Sequence, residues 1–250
     1  MPTVVVTGAT GAIGSATVKA LEKRRAQVIA LSRPAVDLSS MASVRAAARE
    51  LNRTAGHIDA LLNIAAVYTT TYKKNGDGIE LMLATNHLGP FLLTNLLRDR
   101  MSGGGRVITV SAPSGTDVDI DRLLDRDQFS AFHSFSATKA ANLQFTFELA
   151  RRASRWDVRA NAFHPGLVRS ELMRESARPL RLALRLISRS PEHAAHDLVD
   201  LALSPAFAGT TGWFFKGTKH ADPPKSTLDT AQQSELWRRS AELVELENGF

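Results

Sequence analysis

Short runs of β-branched residues alternate with longer segments of helical periodicity along this 250-residue chain. The first run, residues 3–7, is apolar at its central positions, which is typical of a strand covered on both faces of a sheet. Parallel strands require long crossover connections, and the helical segments between the runs supply them. The alternation therefore predicts an α/β fold with one doubly wound parallel sheet and helices on both of its faces.

The predicted elements follow one another without an internal repeat or a linker, so we predict a single domain over residues 1–250. Besides residues 3–7, strands are predicted at residues 27–31, 58–64, 106–110 and 158–163, with residues 212–215 as a last edge strand. Helices are predicted at residues 13–25, 41–55, 78–100, 134–153, 191–203 and 230–247.

The connection after the second strand is too short for a crossover helix. Only three residues separate Arg33 from Asp37, whereas a parallel crossover normally needs about a dozen or more. We therefore predict a truncated crossover between the second and third strands. Either the third strand is vestigial, or the chain only passes the sheet edge before Ser39 or Ser40 caps the next helix.

Charge and composition narrow the class of partner. The net charge of +6 would suit a nucleic-acid binder, but six arginines and two glutamates within residues 169–189 account for four of those charges. We therefore expect a small-molecule substrate and no nucleic-acid partner. The chain has no cysteine, which fits a reducing compartment, so we expect a cytoplasmic protein. No apolar run approaches the roughly 20 residues of a transmembrane span, and the start of the chain lacks a signal-peptide pattern.

A glycine-rich motif, TGATGAIG at residues 7–14, lies between the first strand and the first helix. Gly8 allows a tight turn, Gly11 lets the backbone approach a pyrophosphate at the helix N-terminus, and Gly14 permits close packing of helix on strand. A strand before the glycines and a helix after them are the context that a dinucleotide site requires. We therefore predict a Rossmann-type dinucleotide site lined by Gly8, Thr10, Gly11, Ala12, Ile13 and Gly14.

The spacing of these glycines resembles the short-chain dehydrogenase/reductase family, and further motifs follow in the family's order. Asp37-Leu38 is similar to its adenine-contacting pair, and NIAA at residues 63–66 resembles its Asn-Asn-Ala-Gly motif. NHLGPFLLTNLL at residues 86–97 resembles the retinol-dehydrogenase-like branch, which includes the WW-domain oxidoreductases. HPGLVRS at residues 164–170 is similar to the segment that meets the nicotinamide. The resemblance implies further cofactor contacts from Asn63, Ala65, Lys139, Pro165, Gly166, Val168 and Ser170.

The resemblance also implies a quaternary structure and a lid. Family members associate as homodimers or homotetramers through the helices predicted here at residues 78–100 and 134–153, although monomers occur. Residues 169–190 correspond to the region that covers the substrate, and Arg174, Arg178, Arg181 and Arg185 would form one stripe on a lid helix there. A solvated face, an acidic substrate and an anionic membrane surface all remain open as explanations of that stripe.

Charge at the end of the second strand indicates which cofactor is used. Cofactors without a 2′-phosphate are usually held by an acidic residue at that place, which is Ser32 in this chain. The next residue, Arg33, can pair with a 2′-phosphate through its guanidinium. The sequence therefore favours NADP(H) over NAD(H).

The catalytic motif departs from the family pattern. The family carries Tyr-x-x-x-Lys on one helix, whereas this chain has Phe135 four residues before Lys139. The partner serine aligns with Ala112, and its neighbour Ser111 is expected to point elsewhere because side chains alternate along a strand. Asn86 matches the family's structural and relay asparagine. We therefore treat Asn86, Ser111, Ala112, Phe135 and Lys139 as the catalytic positions, with both family hydroxyls replaced.

Several groups could supply the missing proton. Tyr68 and Tyr72 follow the strand at residues 58–64, and His133 lies just before Phe135. We expect these three side chains on the substrate side of the site. Ser111, Ser114, Ser134 and Ser136 can donate hydrogen bonds but are poor acids, and a hydroxyl of the substrate beside its own carbonyl is a further source. No metal site is predicted, because His193 and His196 have no apparent third ligand.

The leading hypothesis from the sequence is an atypical NADP(H)-dependent oxidoreductase acting on a bulky hydrophobic or aromatic, polyketide-like substrate. It would reduce a ketone or aldehyde, or oxidise the corresponding alcohol. Two alternatives remain at this stage: a non-redox cyclase, dehydratase or isomerase on the same fold, and a binding protein without activity.

Overall fold

Within residues 1–168 and 189–250, which the computed structural model describes, the chain forms seven strands and nine α-helices. The strands are β1 (Thr3–Thr7), β2 (Gln27–Leu31), β3 (Ala60–Asn63), β4 (Arg106–Val110), β5 (Arg159–His164), β6 (Phe214–Lys216) and β7 (Lys219–His220). The helices are α1 (Ala12–Lys23), α2 (Met41–Thr54), α3 (Leu81–Leu83), α4 (Gly89–Leu96), α5 (Arg98–Met101), α6 (Ile120–Leu124), α7 (Ala131–Arg152), α8 (Pro191–Leu203) and α9 (Thr230–Leu243). The five longer strands confirm their predicted positions.

The strands form one sheet in the order β2-β1-β3-β4-β5-β6-β7, and all neighbouring strands are parallel except β6 and β7. This arrangement confirms the predicted doubly wound parallel sheet. The prediction that residues 212–215 form the edge strand is wrong, because β6 pairs with β5 on one side and with β7 on the other. Gly217, with φ at +62°, turns the chain back so that β7 runs antiparallel along β6.

The truncated crossover is confirmed. Among the described residues β2 pairs only with β1, so β2 is the edge of the sheet and β3 lies on the other side of β1. The chain leaves β2, passes the sheet edge and enters α2 directly. Ser40 caps that helix, because its hydroxyl accepts a hydrogen bond from the backbone N–H of Ser43 at 3.3 Å.

Both faces of the sheet are covered, as the apolar strands predict. Val5 belongs to a buried cluster on the side of α2, α4 and α7, whereas Val4 and Val6 belong to a cluster on the side of α8. Successive strand residues point to opposite faces, so a strand buried on both sides has no polar alternation. No helix within the described ranges has both the length and the apolar character needed to cross a membrane.

The helices that the family resemblance assigns to a subunit interface are covered by the chain itself. In α7 every residue from 137 to 150 is buried, and all but the last residue of α4 is buried. The ring of Trp237 in α9 lies 4.9 Å from that of Phe91 in α4 and 5.8 Å from that of Phe145 in α7. Helix α9 therefore covers part of α4 and α7, and the homodimer or homotetramer that the resemblance implies stays a prediction.

Candidate active site

A cleft of about 550 Å³ opens at the carboxyl ends of β1, β2 and β3. It lies where the strand order reverses about β1, which is where doubly wound sheets bind their ligands. The cleft brings together most of the predicted cofactor residues. Its lining includes Gly8, Thr10, Gly11, Ala12, Ile13, Gly14, Ser32, Arg33, Asp37, Leu38, Ala65 and Tyr68.

The glycines at the floor of the cleft have no room for side chains. Gly8 has φ at +68°, and a Cβ there would lie 2.8 Å from the Cα of Ala65. A Cβ on Gly14 would lie 2.1 Å from the carbonyl oxygen of Gly8. Gly11 is the N-cap of α1, and no side chain caps the backbone N–H groups at the start of that helix. The backbone N–H groups of this turn are therefore placed to receive a pyrophosphate, and the cradle fits a dinucleotide.

The far end of the cleft is formed by the segment between β2 and α2. The carboxylate of Asp37 accepts hydrogen bonds from the backbone N–H and the hydroxyl of Ser39, at 2.9 and 2.7 Å. These bonds hold the loop that carries Leu38. Ser32 and Arg33 line the same end of the cleft, so no acidic side chain follows β2 at the position that usually binds a ribose 2′-hydroxyl.

The side chain of Asn63 does not line the cleft, and its predicted contact with the cofactor stays a prediction. The side chain is buried, and its Nδ2 donates to the hydroxyl of Thr94 in α4 at 3.1 Å. As the last residue of β3, Asn63 points to the α4 side of the sheet. Its neighbour Ile64 and then Ala65 line the cleft instead.

Asn86 lies in a π-helical turn (Ala84–Leu88) between α3 and α4. Its side-chain oxygen accepts from the backbone N–H of Val67 at 2.7 Å, and its Nδ2 lies 3.0 Å from the carbonyl oxygen of Val67. The same Nδ2 lies 3.2 Å from the hydroxyl of Thr138 in α7. Asn86 thus joins the loop after β3 to the helix that carries Lys139.

Lys139 is buried at the base of the site. Its Nζ lies 3.5 Å from the carbonyl oxygen of Val110 and 5.4 Å from the centre of the Phe135 ring. Burial lowers the pKa of the Lys139 amine to about 8, because a cation loses its hydration in the interior. Among the described residues no carboxylate forms an ion pair with it.

The segment after β4 offers no free hydroxyl at the expected serine position. Ala112 occupies that position, and the Ser111 hydroxyl donates to the carbonyl oxygen of Lys139 at 2.6 Å. Ser114 donates to the carbonyl oxygen of Ser136 at 2.8 Å. As predicted from strand alternation, Ser111 faces α7, so its role is to hold the strand end against that helix.

The two tyrosines have different environments. Tyr72 does not line the cleft, because its hydroxyl donates to the carbonyl oxygen of Leu124 at 2.6 Å and its ring packs on Phe129. Burial raises the pKa of the Tyr72 phenol. The Tyr72 hydroxyl is therefore engaged by Leu124, and the predicted contact of Tyr72 with a substrate stays a prediction. Tyr68 does line the cleft, and its ring makes an edge-to-face contact with Phe135 at 5.5 Å between ring centres.

His133 lies in the first turn of α7, two residues before Phe135. Burial and the nearby charge of Arg122 lower the pKa of the His133 imidazole, while Asp117 opposes that shift. The imidazole is therefore neutral at physiological pH.

The Pro-Gly segment follows β5 at the same sheet edge. Gly166 has φ at +78° directly after Pro165, and Val168 forms a bridge with Arg189. Ser170 and the arginines of the predicted lid lie outside the described residues. Groups of three His, Asp or Glu side chains suited to a metal do not occur in the described part of the chain.

His164, the last residue of β5, was not singled out from the sequence. Its Nδ1 is buried without a hydrogen-bond partner among the described residues, and burial lowers the pKa of the imidazole. Whether a buried nitrogen finds a hydrogen-bond partner depends on the neighbouring strands, which the sequence alone does not reveal. The only signal for His164 in the sequence is its place directly before Pro165.

Comparison with known proteins shows the family. A family model described as short chain dehydrogenase matches residues 34–180. The chain therefore belongs to the short-chain dehydrogenase/reductase family, whose members are oxidoreductases that bind nicotinamide cofactors.

Two curated relatives illustrate the match. Human retinol dehydrogenase 14 is 34% identical over 221 residues, and the match spans 84% of this chain but only 66% of that protein. A protein of Streptomyces sp. (strain C5), provisionally named daunorubicin C-13 ketoreductase DnrU, is 31% identical over 97% of this chain and 92% of its own length.

Solved structures agree in fold. An uncharacterized protein from Mycobacterium paratuberculosis matches with a TM-score of 0.78 and 28% identity over 100% of this chain and 96% of that chain. The 3-alpha-hydroxysteroid dehydrogenase from Pseudomonas sp. B-0831, complexed with NADH, matches with a TM-score of 0.70 and 20% identity over 86% and 95% of the two chains. The second likeness concerns the fold alone.

Proposed function

We propose that the protein is an NADP(H)-dependent reductase of ketones or aldehydes, or an alcohol dehydrogenase in the reverse direction, with an altered proton source. The observation that carries this proposal is a cleft with a glycine cradle suited to a dinucleotide, in a chain where Phe135 and Ala112 stand at the positions of the family's hydroxyl-bearing residues. Gly8, Gly11 and Gly14 would hold the nucleotide, whose nicotinamide would supply or accept the hydride when bound. Loss of a positioned acid reduces the rate by about 10² to 10⁴-fold, whereas proximity alone contributes about 7–11 kcal/mol. Redox turnover is therefore compatible with this site.

The preference for NADP(H) rests on Ser32 and Arg33. Both line the end of the cleft where the ribose of the adenosine half would lie. Arg33 can form two parallel hydrogen bonds with a 2′-phosphate, whereas Ser32 lacks the charge that would repel it.

A bulky hydrophobic or aromatic, polyketide-like substrate is supported by two observations. Phe132 in the first turn of α7 is 73% exposed, and Leu167 after the Pro-Gly segment is 51% exposed. Such side chains at the carboxyl edge of the sheet suit an apolar ligand. The named relatives also carry the names of large molecules, retinol and daunorubicin.

Two other functions follow from the same replaced residues. Without a proton donor the pocket could promote cyclisation, dehydration or isomerisation with the nucleotide as a structural element, or it could bind a ligand without converting it. Substrate conversion without consumption of NADPH would identify the first of these, and binding without conversion would identify the second.

Calorimetric titration with NADPH and NADH tests the proposal first. We expect NADPH to bind more tightly, and we expect Arg33→Asp to reverse this order by removing the phosphate partner. Arg49→Asp, on the exposed surface of α2, makes the same change of charge away from the cleft and should leave the order unchanged. Retinal and acetylnaphthalene then serve as an aldehyde and an aryl ketone, with turnover followed by the absorbance of NADPH. Failure of both cofactors to bind would overturn the proposal.

A further inference from the structure

Tyr68, which lines the cleft, contacts Phe135 of α7. Their rings are in edge-to-face contact at 5.5 Å between centres, with an angle of 78° between the planes. Phe135 occupies the position where the family motif places its proton donor, and the phenol in contact with that position comes from the loop after β3. Resting on the proposed reductase function, we infer that Tyr68 is the catalytic acid of this site.

The backbone around Tyr68 is held rigidly. Asn86 forms two hydrogen bonds with Val67, the residue before Tyr68, and Thr69, the residue after it, is only 4% exposed. The Tyr68 ring is half-buried, and its hydroxyl makes no hydrogen bond with another described residue. The phenol is therefore positioned by its backbone and its ring contact, while the O–H group stays available to a ligand in the cleft.

The neighbouring hydroxyls are committed to other partners. Tyr72 donates to the carbonyl oxygen of Leu124, Ser111 to that of Lys139 and Ser114 to that of Ser136. Each of these bonds joins two parts of the fold, so using the hydroxyl as an acid would leave a carbonyl oxygen without its donor. Tyr68 carries no such structural bond.

The proton transfer balances with the hydride transfer. The hydride adds to the carbonyl carbon of the substrate, and the electron pair of the C=O π bond moves to the oxygen. The O–H bond of Tyr68 breaks, and its proton forms the new O–H bond of the alcohol. The phenolate then takes a proton from water in the open cleft. Lys139, with its Nζ 5.4 Å from the centre of the Phe135 ring, supplies a positive charge near the developing anion.

Tyr68→Phe removes the acid and keeps the ring. With retinal or acetylnaphthalene and saturating NADPH, we expect kcat to fall about 10² to 10⁴-fold and the solvent isotope effect on turnover to disappear, while NADPH still binds in calorimetry. Tyr72→Phe is the matched control. It removes the same group from a phenol outside the cleft, so it should lower thermal stability and retain the solvent isotope effect.

A double variant that restores a phenol at residue 135 is the second test of Tyr68. Phe135→Tyr, added to Tyr68→Phe, restores a phenol four residues before Lys139 and should recover a large part of the lost kcat. Unchanged kcat in Tyr68→Phe, with an active wild type, would overturn the assignment of Tyr68 and leave the reductase function standing. A wild type that binds NADPH but consumes none with either carbonyl compound would overturn both.

Discussion

The hydroxyl of Ser240 lies 2.9 Å from Nε2 of His87, so the last helix of the chain is bonded to the π-helical turn of the active site. The donor and acceptor in this hydrogen bond can be assigned from the hydrogen bonds of the neighbouring Asn142. Asn142 donates through Nδ2 to the carbonyl oxygen of Asn86 at 3.0 Å, so its Oδ1 faces Nδ1 of His87 at 3.2 Å and accepts from it. Nε2 is then an acceptor, and Ser240 must donate to it.

Ser240→Ala removes that donor from a buried site. We expect a loss of about 1–3 kcal/mol in the free energy of unfolding, because a buried acceptor is left without a partner. Urea unfolding measures this directly. Ser234→Ala makes the same substitution at an exposed position of α9, where the hydroxyl donates to the Glu148 carboxylate at 3.3 Å, and a loss there equal to that in Ser240→Ala would contradict the explanation.

Stability should fall in acid because of His87. Burial lowers the pKa of this imidazole from 6.5 to about 4 in the folded chain. The unfolded chain binds a proton that the folded chain does not, so the contribution is present above pH 6.5 and is lost as pH falls towards 4. A shift of this size corresponds to about 3 kcal/mol. In urea titrations across this range His87→Gln should reduce the pH dependence, while His57→Gln, an exposed histidine, should leave the slope as in wild type.

Lys139→Met should give a more stable but less active protein. The pKa of the amine falls from 10.5 to about 8 on folding, so the buried cation destabilises the folded state by up to about 3 kcal/mol near neutral pH. That penalty decreases as pH rises from 8 to 10.5, and the stability gap between variant and wild type should narrow over the same range. Paired urea titrations and turnover assays measure both effects. Equal stability of the two proteins at neutral pH would show that the ammonium is hydrated.

Gly14→Ala should damage the cofactor cradle. The added Cβ would lie 2.1 Å from the carbonyl oxygen of Gly8, so α1 must move away from β1. We expect a loss of about 1–3 kcal/mol in stability together with weaker NADPH binding in calorimetry. Gly76→Ala is the control, because a Cβ there meets no atom within 4 Å. Unchanged NADPH binding by Gly14→Ala would contradict this prediction, because it would show that the turn can accommodate a Cβ at residue 14.

Local pattern was sufficient to predict the sheet and the glycine cradle. Residues 3–7, 27–31 and 106–110 were predicted as strands on apolar runs and match β1, β2 and β4 residue for residue. The absence of a helix between Arg33 and Asp37 was also foreseeable, since three intervening residues are too few for a crossover.

Features that depend on tertiary contact could not be predicted in this way. The π-helical turn at Asn86 is fixed by bonds to Val67 and Thr138, which lie far away in sequence. The covering of α4 and α7 by α9 depends on Trp237, an aromatic residue whose partners no periodicity identifies. The position of Tyr68 against Phe135 likewise arises only when the loop after β3 meets α7.

The outer edge of β2 is a potential site of aggregation. The common doubly wound order places a further strand outside the second one, whereas here the five residues of β2 form the border of the sheet. Backbone N–H and C=O groups along a border can pair with a strand of another molecule, which makes such borders sites of aggregation. A short strand flanked by Arg24, Arg25 and Arg33 limits this danger by charge repulsion. The same arginine that we assign to cofactor choice would thereby also help to keep copies of the chain apart.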